Sequence, residues 1–204
     1  MGFSKKAKYY TGTVYEWNLP VGHTCPYADE CLVKVGRETG KMDNRSKAYR
    51  CYAASAERFP GVRKSRWNNL ELSKRGELPA LPKAATAVRI HSSGDFFNQA
   101  YFDLWLDYAR ENSGVDFWAY TKSLSYWVKR LDQIPANFVL TASKGGRQEH
   151  LINEYGLRSA EVVWGPDEAS GPIDTNDDLA RTPGPSFFLL DNNNRGNSVG
   201  KRFK

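Results

Sequence analysis

The chain has 204 residues, of which 40% are hydrophobic and 25% are charged, and its formal net charge is +6. This composition excludes collagen-like, fibrous and largely disordered proteins. No apolar run approaches the ~18 residues that a membrane span needs, and the basic start of the chain lacks the apolar stretch of a signal peptide. We therefore expect a single domain over residues 1–204, located in the cytoplasm and without a membrane partner.

The positive charge is confined to the first part of the chain. Residues 1–80 carry 15 Lys and Arg against 8 Asp and Glu, whereas residues 81–204 carry 14 against 15. A basic segment suits a nucleic acid or another anionic partner, but it is equally typical of a solvated protein face. Both interpretations stay open, because no zinc-finger or other nucleic-acid-reading motif accompanies the charge.

The first predicted elements are a strand over residues 11–19, rich in β-branched and aromatic residues, and a helix over 51–73 that Pro60-Gly61 should interrupt. From residue 86 onward, strands alternate with amphipathic helices. Asn98 is the expected N-cap of one of these helices. Strands are predicted over 86–95, 115–122, 137–146, 160–169 and 186–192, and helices over 99–112, from 123 onward, and over 147–156.

This alternation predicts βαβ units and an α/β fold with a parallel sheet. About six strands, each ending in polar residues, favour a partial (β/α) barrel of the TIM type over a flat doubly wound sheet. In either fold, binding groups gather at the carboxyl ends of the strands. We therefore expect a cofactor-binding site from the residues at those ends, namely Ser93, Gly94, Asp95, Lys122 and Lys144.

All three cysteines of the chain, Cys25, Cys31 and Cys51, lie within residues 20–52. Cytoplasmic thiols stay reduced, so this grouping indicates a bound metal rather than disulfides. Three thiolates can bind three irons of a [4Fe–4S] cluster and leave the fourth iron open to another ligand. Zinc held together with His23 is an alternative, although the C-x2-C spacing is missing. A third alternative is that the thiols bind nothing and pack as small apolar groups.

An iron with a free position can bind the amino and carboxylate groups of S-adenosylmethionine, which is then a second expected cofactor. Lys122 and Lys144 place cations where they can meet a negative cluster or a ligand carboxylate. Lys144 is also followed by Gly145-Gly146, whose backbone can cradle an anion. His91 is either a group of the same pocket or a buried core histidine.

Several motifs together closely resemble the phage gene-product-88 family. They are TCPYADEC, CYAASAERF, VRKSRWNN, RIHSSGDFFNQAYFDLWLDYA and DFWAYTKS, spread over residues 12–165. Members of that family look like small relatives of radical S-adenosylmethionine enzymes. The resemblance implies an iron–sulfur protein on a partial barrel, with Cys25, Cys31 and Cys51 as the cluster ligands.

The resemblance also implies a role for Ser93-Gly94-Asp95, which takes the position of the segment that holds the methionine ammonium group in those enzymes. Two features depart from that pattern. The compact C-x3-C-x2-C spacing of most radical S-adenosylmethionine enzymes is absent, and no cysteine near the C-terminus is available for an auxiliary cluster.

Three functions therefore stay open at the level of sequence. The first is a redox-active [4Fe–4S] protein with an unknown small-molecule or electron-donor partner. The second is an active radical S-adenosylmethionine enzyme on an unknown substrate. The third is a nucleic-acid-binding protein that uses the basic first part of the chain, with a structural metal site. Residues 193–204 are expected to form a mobile basic tail.

Overall fold

A computed structural model of the chain describes residues 2–5, 12–43 and 51–190. Residues 44–50 and the predicted tail at 193–204 lie outside the described residues. The strands are β1 (Ser4–Lys5), β2 (Val14–Trp17), β3 (Ala87–Ile90), β4 (Asp116–Thr121), β5 (Phe138–Ser143), β6 (Ser159–Val163), β7 (Ile173–Asp174) and β8 (Phe187–Leu190). The α-helices are α1 (Pro60–Lys74), α2 (Gln99–Glu111), α3 (Leu124–Val128), α4 (His150–Glu154) and α5 (Asp178–Arg181).

All eight strands form one sheet in the order β1-β2-β3-β4-β5-β6-β8-β7. β1 is antiparallel to β2, and every other pair is parallel. The α/β class and the mostly parallel sheet are thereby confirmed. Within the described residues the edge strands β1 and β7 do not pair with each other, so the sheet is open. The closer likeness to a TIM-type barrel stays a prediction.

The larger hydrophobic core packs one face of the sheet against helices α1 to α4. Trp105 of α2, for example, lies with its ring centroid 6.3 Å from that of Phe117 in β4. The period-2 alternation of the strands puts Trp118 on the opposite face, in a smaller cluster with Ala180 of α5 and Phe187 of β8. The sheet therefore lies between two apolar layers. Polar side chains collect instead at its carboxyl end.

The helix predicted over 99–112 is confirmed as α2, and Asn98 caps it by accepting a 2.8 Å hydrogen bond from the backbone N–H of Tyr101. The predicted interruption at Pro60 is also present. A 3-10 helix, Tyr52–Arg58, ends there, and Pro60 begins α1 because proline fits the first turn of a helix. Among the described residues, no helix is both long and apolar enough to span a bilayer.

Three short elements, β1, β7 and α5, were not predicted from the sequence. Each has four residues or fewer, which is too short to show a helical or strand periodicity. The strand predicted over 86–95 ends earlier, at Ile90. His91, the next residue, has a φ of 64°, a left-handed conformation that no strand accommodates.

Candidate functional site

A cavity of about 470 Å³ lies at the carboxyl ends of the parallel strands. Its volume falls within the range of about 300–1,000 Å³ that is typical of small-molecule sites. All eight residues that the sequence singles out for metal or cofactor binding line it: Cys25, Cys31, Cys51, Ser93, Gly94, Asp95, Lys122 and Lys144. The structure therefore brings together residues that are spread over more than a hundred positions of the chain.

The segment that carries the first two cysteines crosses the carboxyl edge of the sheet. It leaves β2 and reaches the loop after β5, where Ala28 forms an antiparallel bridge with Gly146. The backbone N–H of Arg147 donates a 2.9 Å hydrogen bond to the carbonyl of Tyr27 at the same place. Because β3 and β4 lie between β2 and β5 in the sheet, this segment covers their carboxyl ends and roofs the cavity.

The third cysteine is joined to the second through the backbone. The N–H of Cys51 donates a 3.2 Å hydrogen bond to the carbonyl of Cys31. Burial raises the pKa of all three thiols, and that of Cys51 reaches about 11 with a further contribution from Cys31. Asp95 and the other two cysteines also raise the pKa of Cys25. Burial and the neighbouring acidic groups therefore disfavour the ionised form of all three thiols.

Among residues 2–5, 12–43 and 51–190, no three His, Cys, Asp or Glu side chains converge as a group that could hold a metal ion. The three thiols thus line one cavity without meeting at a single point. A mononuclear zinc site requires its ligands within ~2.3 Å of one ion. A four-iron cluster is wider and takes its thiolates on different irons, so separated thiols are compatible with its donor chemistry.

A buried ion pair fixes the cysteine segment to α1. Glu57 is fully buried, and one of its carboxylate oxygens accepts 2.7 Å and 2.8 Å hydrogen bonds from the Val21 backbone N–H and from Arg66 Nη1. Arg66 also donates to the carbonyl of Ala53, 3.1 Å away. These bonds join the chain four residues before Cys25 to the helix that follows Cys51.

The loop after β3 needs glycine at one position. Gly94 has a φ of 87°, and a Cβ atom there would lie 2.6 Å from Leu19 Cβ and 2.7 Å from Thr24 Oγ1. The hydroxyl of Ser93 donates a 2.8 Å hydrogen bond to the carbonyl of Leu19. Ser93 and Gly94 therefore pack this loop against the start of the cysteine segment.

Asp95 is buried and its carboxylate already has three donors. They are the backbone N–H of Phe96 at 2.8 Å, the hydroxyl of Thr121 at 2.6 Å and the backbone N–H of Lys122 at 2.9 Å. Burial raises the pKa of Asp95 to about 6, although these hydrogen bonds oppose the shift. The visible role of Asp95 is to fasten the β3 loop to the end of β4. Contact with a ligand ammonium group stays a prediction.

The two predicted lysines differ in their partners. Lys122 Nζ donates to the carbonyl and hydroxyl of Ser143, at 3.1 Å and 2.9 Å, and to the carbonyl of Lys144. Lys144 Nζ instead forms a 2.7 Å ion pair with Glu161, and both side chains are more than one third exposed. Lys122 is therefore held by neutral oxygens in the cavity wall, whereas Lys144 is neutralised at its rim.

Sequence reasoning missed a polar network on the cavity wall. Arg89 of β3 donates to Asp177 at 2.7 Å and to the hydroxyl of Tyr52 at 3.2 Å. The Tyr52 hydroxyl in turn donates to the carbonyl of Ser92 at 2.8 Å. Asp177 was not predicted because it precedes a helix of only four residues. The network connects the residue after Cys51 to β3 and to the unpredicted α5.

The two histidines near the motifs, His91 and His23, lie in different environments. His91 is buried, its Nε2 lies 2.9 Å from the Tyr101 hydroxyl, and burial lowers its pKa to about 3. Although it lines the cavity, it is bonded as a core histidine. His23 is exposed, and its Nε2 lies 3.0 Å from the carbonyl of Val35. His23 does not line the cavity, so the structure does not place it as a fourth metal ligand.

A family model described as Gene product 88 matches residues 2–202 of the chain. The chain is also similar to the "Gene 88 protein" of Mycobacterium phage L5, with 40% identity over 60 residues. That alignment covers 28% of this chain and only 25% of the phage L5 protein. No solved structure matches the chain.

Proposed function

The chain belongs to the gene product 88 family, and we propose that it binds a [4Fe–4S] cluster through Cys25, Cys31 and Cys51 as a redox-active protein. The observation that carries the proposal is that all three cysteine thiols line the same cavity at the carboxyl edge of the sheet. When bound, such a cluster supplies one-electron transfer, with a fourth iron open to a further ligand.

The chain's own residues prepare this place in three ways. The Glu57–Arg66 pair sets the cysteine segment on α1. Asp95 joins the loop after β3 to the end of β4, and the bridge between Ala28 and Gly146 closes the roof. These contacts hold the segments that carry the three thiols, which supports the proposal because ordered segments lower the ordering cost of binding.

The test is anaerobic reconstitution with ferrous iron and sulfide, and the readout is the visible absorption of the cluster. The wild-type chain should gain sulfur-to-iron charge-transfer absorption, and single Cys25→Ala, Cys31→Ala and Cys51→Ala variants should each lose most of it. Glu149→Gln is the matched control, because Glu149 lines the same cavity without a thiol and should leave the absorption unchanged. Retention of the full absorption in all three cysteine variants would refute the proposal.

A second candidate, catalysis on bound S-adenosylmethionine, is favoured by the free volume of about 470 Å³ beside the thiols, which is enough for a small-molecule ligand. The hydrogen bonds of Asp95 to three protein donors speak against the ammonium-binding role that this reaction would give it. The test is formation of 5′-deoxyadenosine from S-adenosylmethionine by the reduced, reconstituted protein. If none forms and the cluster spectrum is unchanged, the protein is an iron–sulfur protein without this activity.

A further inference from the structure

Lys122 follows β4 and is built into the cavity wall more firmly than a surface lysine. Its side chain packs against the bare backbone of Gly146, where a Cβ atom would lie 3.1 Å from the Lys122 Cβ, Cγ and Cδ atoms. Its ammonium group donates to the carbonyl and hydroxyl of Ser143 and to the carbonyl of Lys144. An ammonium group has three N–H donors, and these three acceptors use all of them.

The charge of Lys122 is nevertheless left without an opposite charge in direct contact. All three acceptors are neutral oxygens, and within the described part of the chain no carboxylate forms an ion pair with it. Asp95 accepts from the backbone N–H of Lys122 rather than from its side chain. Lys122 is therefore a fixed point charge rather than a donor that is free to bind a ligand.

Lys122 lines the same cavity as Cys25, Cys31 and Cys51. The other lysine of the wall, Lys144, is paired with Glu161 at 2.7 Å in a partly exposed position, so its field is largely cancelled and screened.

We propose that Lys122 is an electrostatic positioning residue that raises the reduction potential of the group held by the three cysteines. The inference rests on the proposed function. Reduction adds one electron, and so one negative charge, to that group. A fixed, half-buried cation in the wall stabilises the more negative state of the group more than its less negative state, because opposite charges attract more strongly where water is partly excluded.

The experiment is an anaerobic redox titration of the reconstituted protein, with the reduced cluster followed by electron paramagnetic resonance. Lys122→Met should shift the midpoint potential to more negative values by about 59 mV, which is a tenfold change in the ratio of reduced to oxidised cluster. Lys122→Gln should shift the midpoint potential in the same direction and provides a second neutral variant if the methionine variant fails to fold. Lys122→Arg, which keeps the charge, should stay close to the wild type.

Lys144→Met is the matched control, since Lys144 lines the same wall but is already paired with Glu161. The midpoint potential of Lys144→Met should move by less than half as much as that of Lys122→Met. Equal shifts for Lys122→Met and Lys144→Met, or no shift in either neutral variant at position 122, would overturn the inference while leaving the cluster itself in place. A wild-type chain that takes up no iron would overturn the proposed function, and this inference with it.

Discussion

Removal of the buried carboxylate of Glu57 should both destabilise the fold and impair the cysteine site. Glu57→Ala leaves the Val21 N–H and the Arg66 guanidinium without the acceptor that they share at 2.7 Å and 2.8 Å. The two charged side chains are only 0% and 9% exposed, so water cannot readily replace the lost partner. Breaking a buried ion pair on one side costs about 3–5 kcal/mol. For a chain of this size, that corresponds to a fall in the melting temperature of about 6–20 °C.

Urea unfolding, followed by tryptophan fluorescence, measures this loss. Glu57→Gln keeps a carbonyl acceptor for the Val21 N–H and should cost less than Glu57→Ala. Glu77→Ala is the exposed control: Glu77 pairs with Arg75 at 2.9 Å, but both side chains are more than half exposed, so the change should stay within about 1 kcal/mol. If Glu57→Ala lost no more free energy of unfolding than Glu77→Ala, the assigned role of the buried pair would be wrong.

Three further changes probe the loop after β3 and its contacts. Gly94→Ala should lower the free energy of unfolding by more than about 1 kcal/mol, because its Cβ would lie 2.6 Å from Leu19 Cβ at a φ of 87°; Gly114→Ala, where nothing lies within 4 Å, should be nearly neutral. Burial lowers the pKa of His91 to about 3. Between pH ~6.5 and 3, the unfolded state therefore binds a proton at this histidine that the folded state does not bind. The contribution of His91 to stability should therefore fall as the pH drops from ~6.5 toward 3, by about 1.4 kcal/mol per pH unit, and the raised pKa of Asp95 opposes this fall between about pH 6 and 4. His91→Asn, which tolerates the left-handed backbone, should flatten that slope in urea unfolding measured at a series of pH values, and an unchanged slope would contradict the assignment. Finally, Tyr101→Phe removes the hydroxyl 2.9 Å from His91 Nε2 and should cost about 1–3 kcal/mol; the free energy of unfolding measures this, and a loss below 0.5 kcal/mol would show that the buried histidine does not depend on it.

Most of the site could be predicted from one rule: polar residues that follow parallel strands lie together at the carboxyl edge of the sheet. Asp95, Lys122 and Lys144 each follow a segment rich in β-branched and aromatic residues, and parallel strands bring their carboxyl ends to one edge. The same residues now line one cavity with the three cysteines. The rule needs only the alternation of elements, which the long helix α2 and the strands β3 to β5 display clearly.

What those side chains bind could not be predicted in the same way. The sequence suggests a free carboxylate at Asp95, but its oxygens are used by Phe96, Thr121 and Lys122. These partners depend on loop geometry at atomic detail, which spacing does not encode. The network of Arg89 and Asp177 was missed for a related reason, since Asp177 reaches the cavity through a connection whose elements are too short to have a period.

The central claim is that Cys25, Cys31 and Cys51 together hold four irons rather than one metal ion or none. Its most direct test is the amount of iron and acid-labile sulfide in the protein purified without oxygen. We expect about four of each per chain, falling to well below half in a Cys31→Ala variant that still unfolds cooperatively. One zinc per chain with no sulfide, or a metal-free chain after anaerobic reconstitution, would contradict the claim.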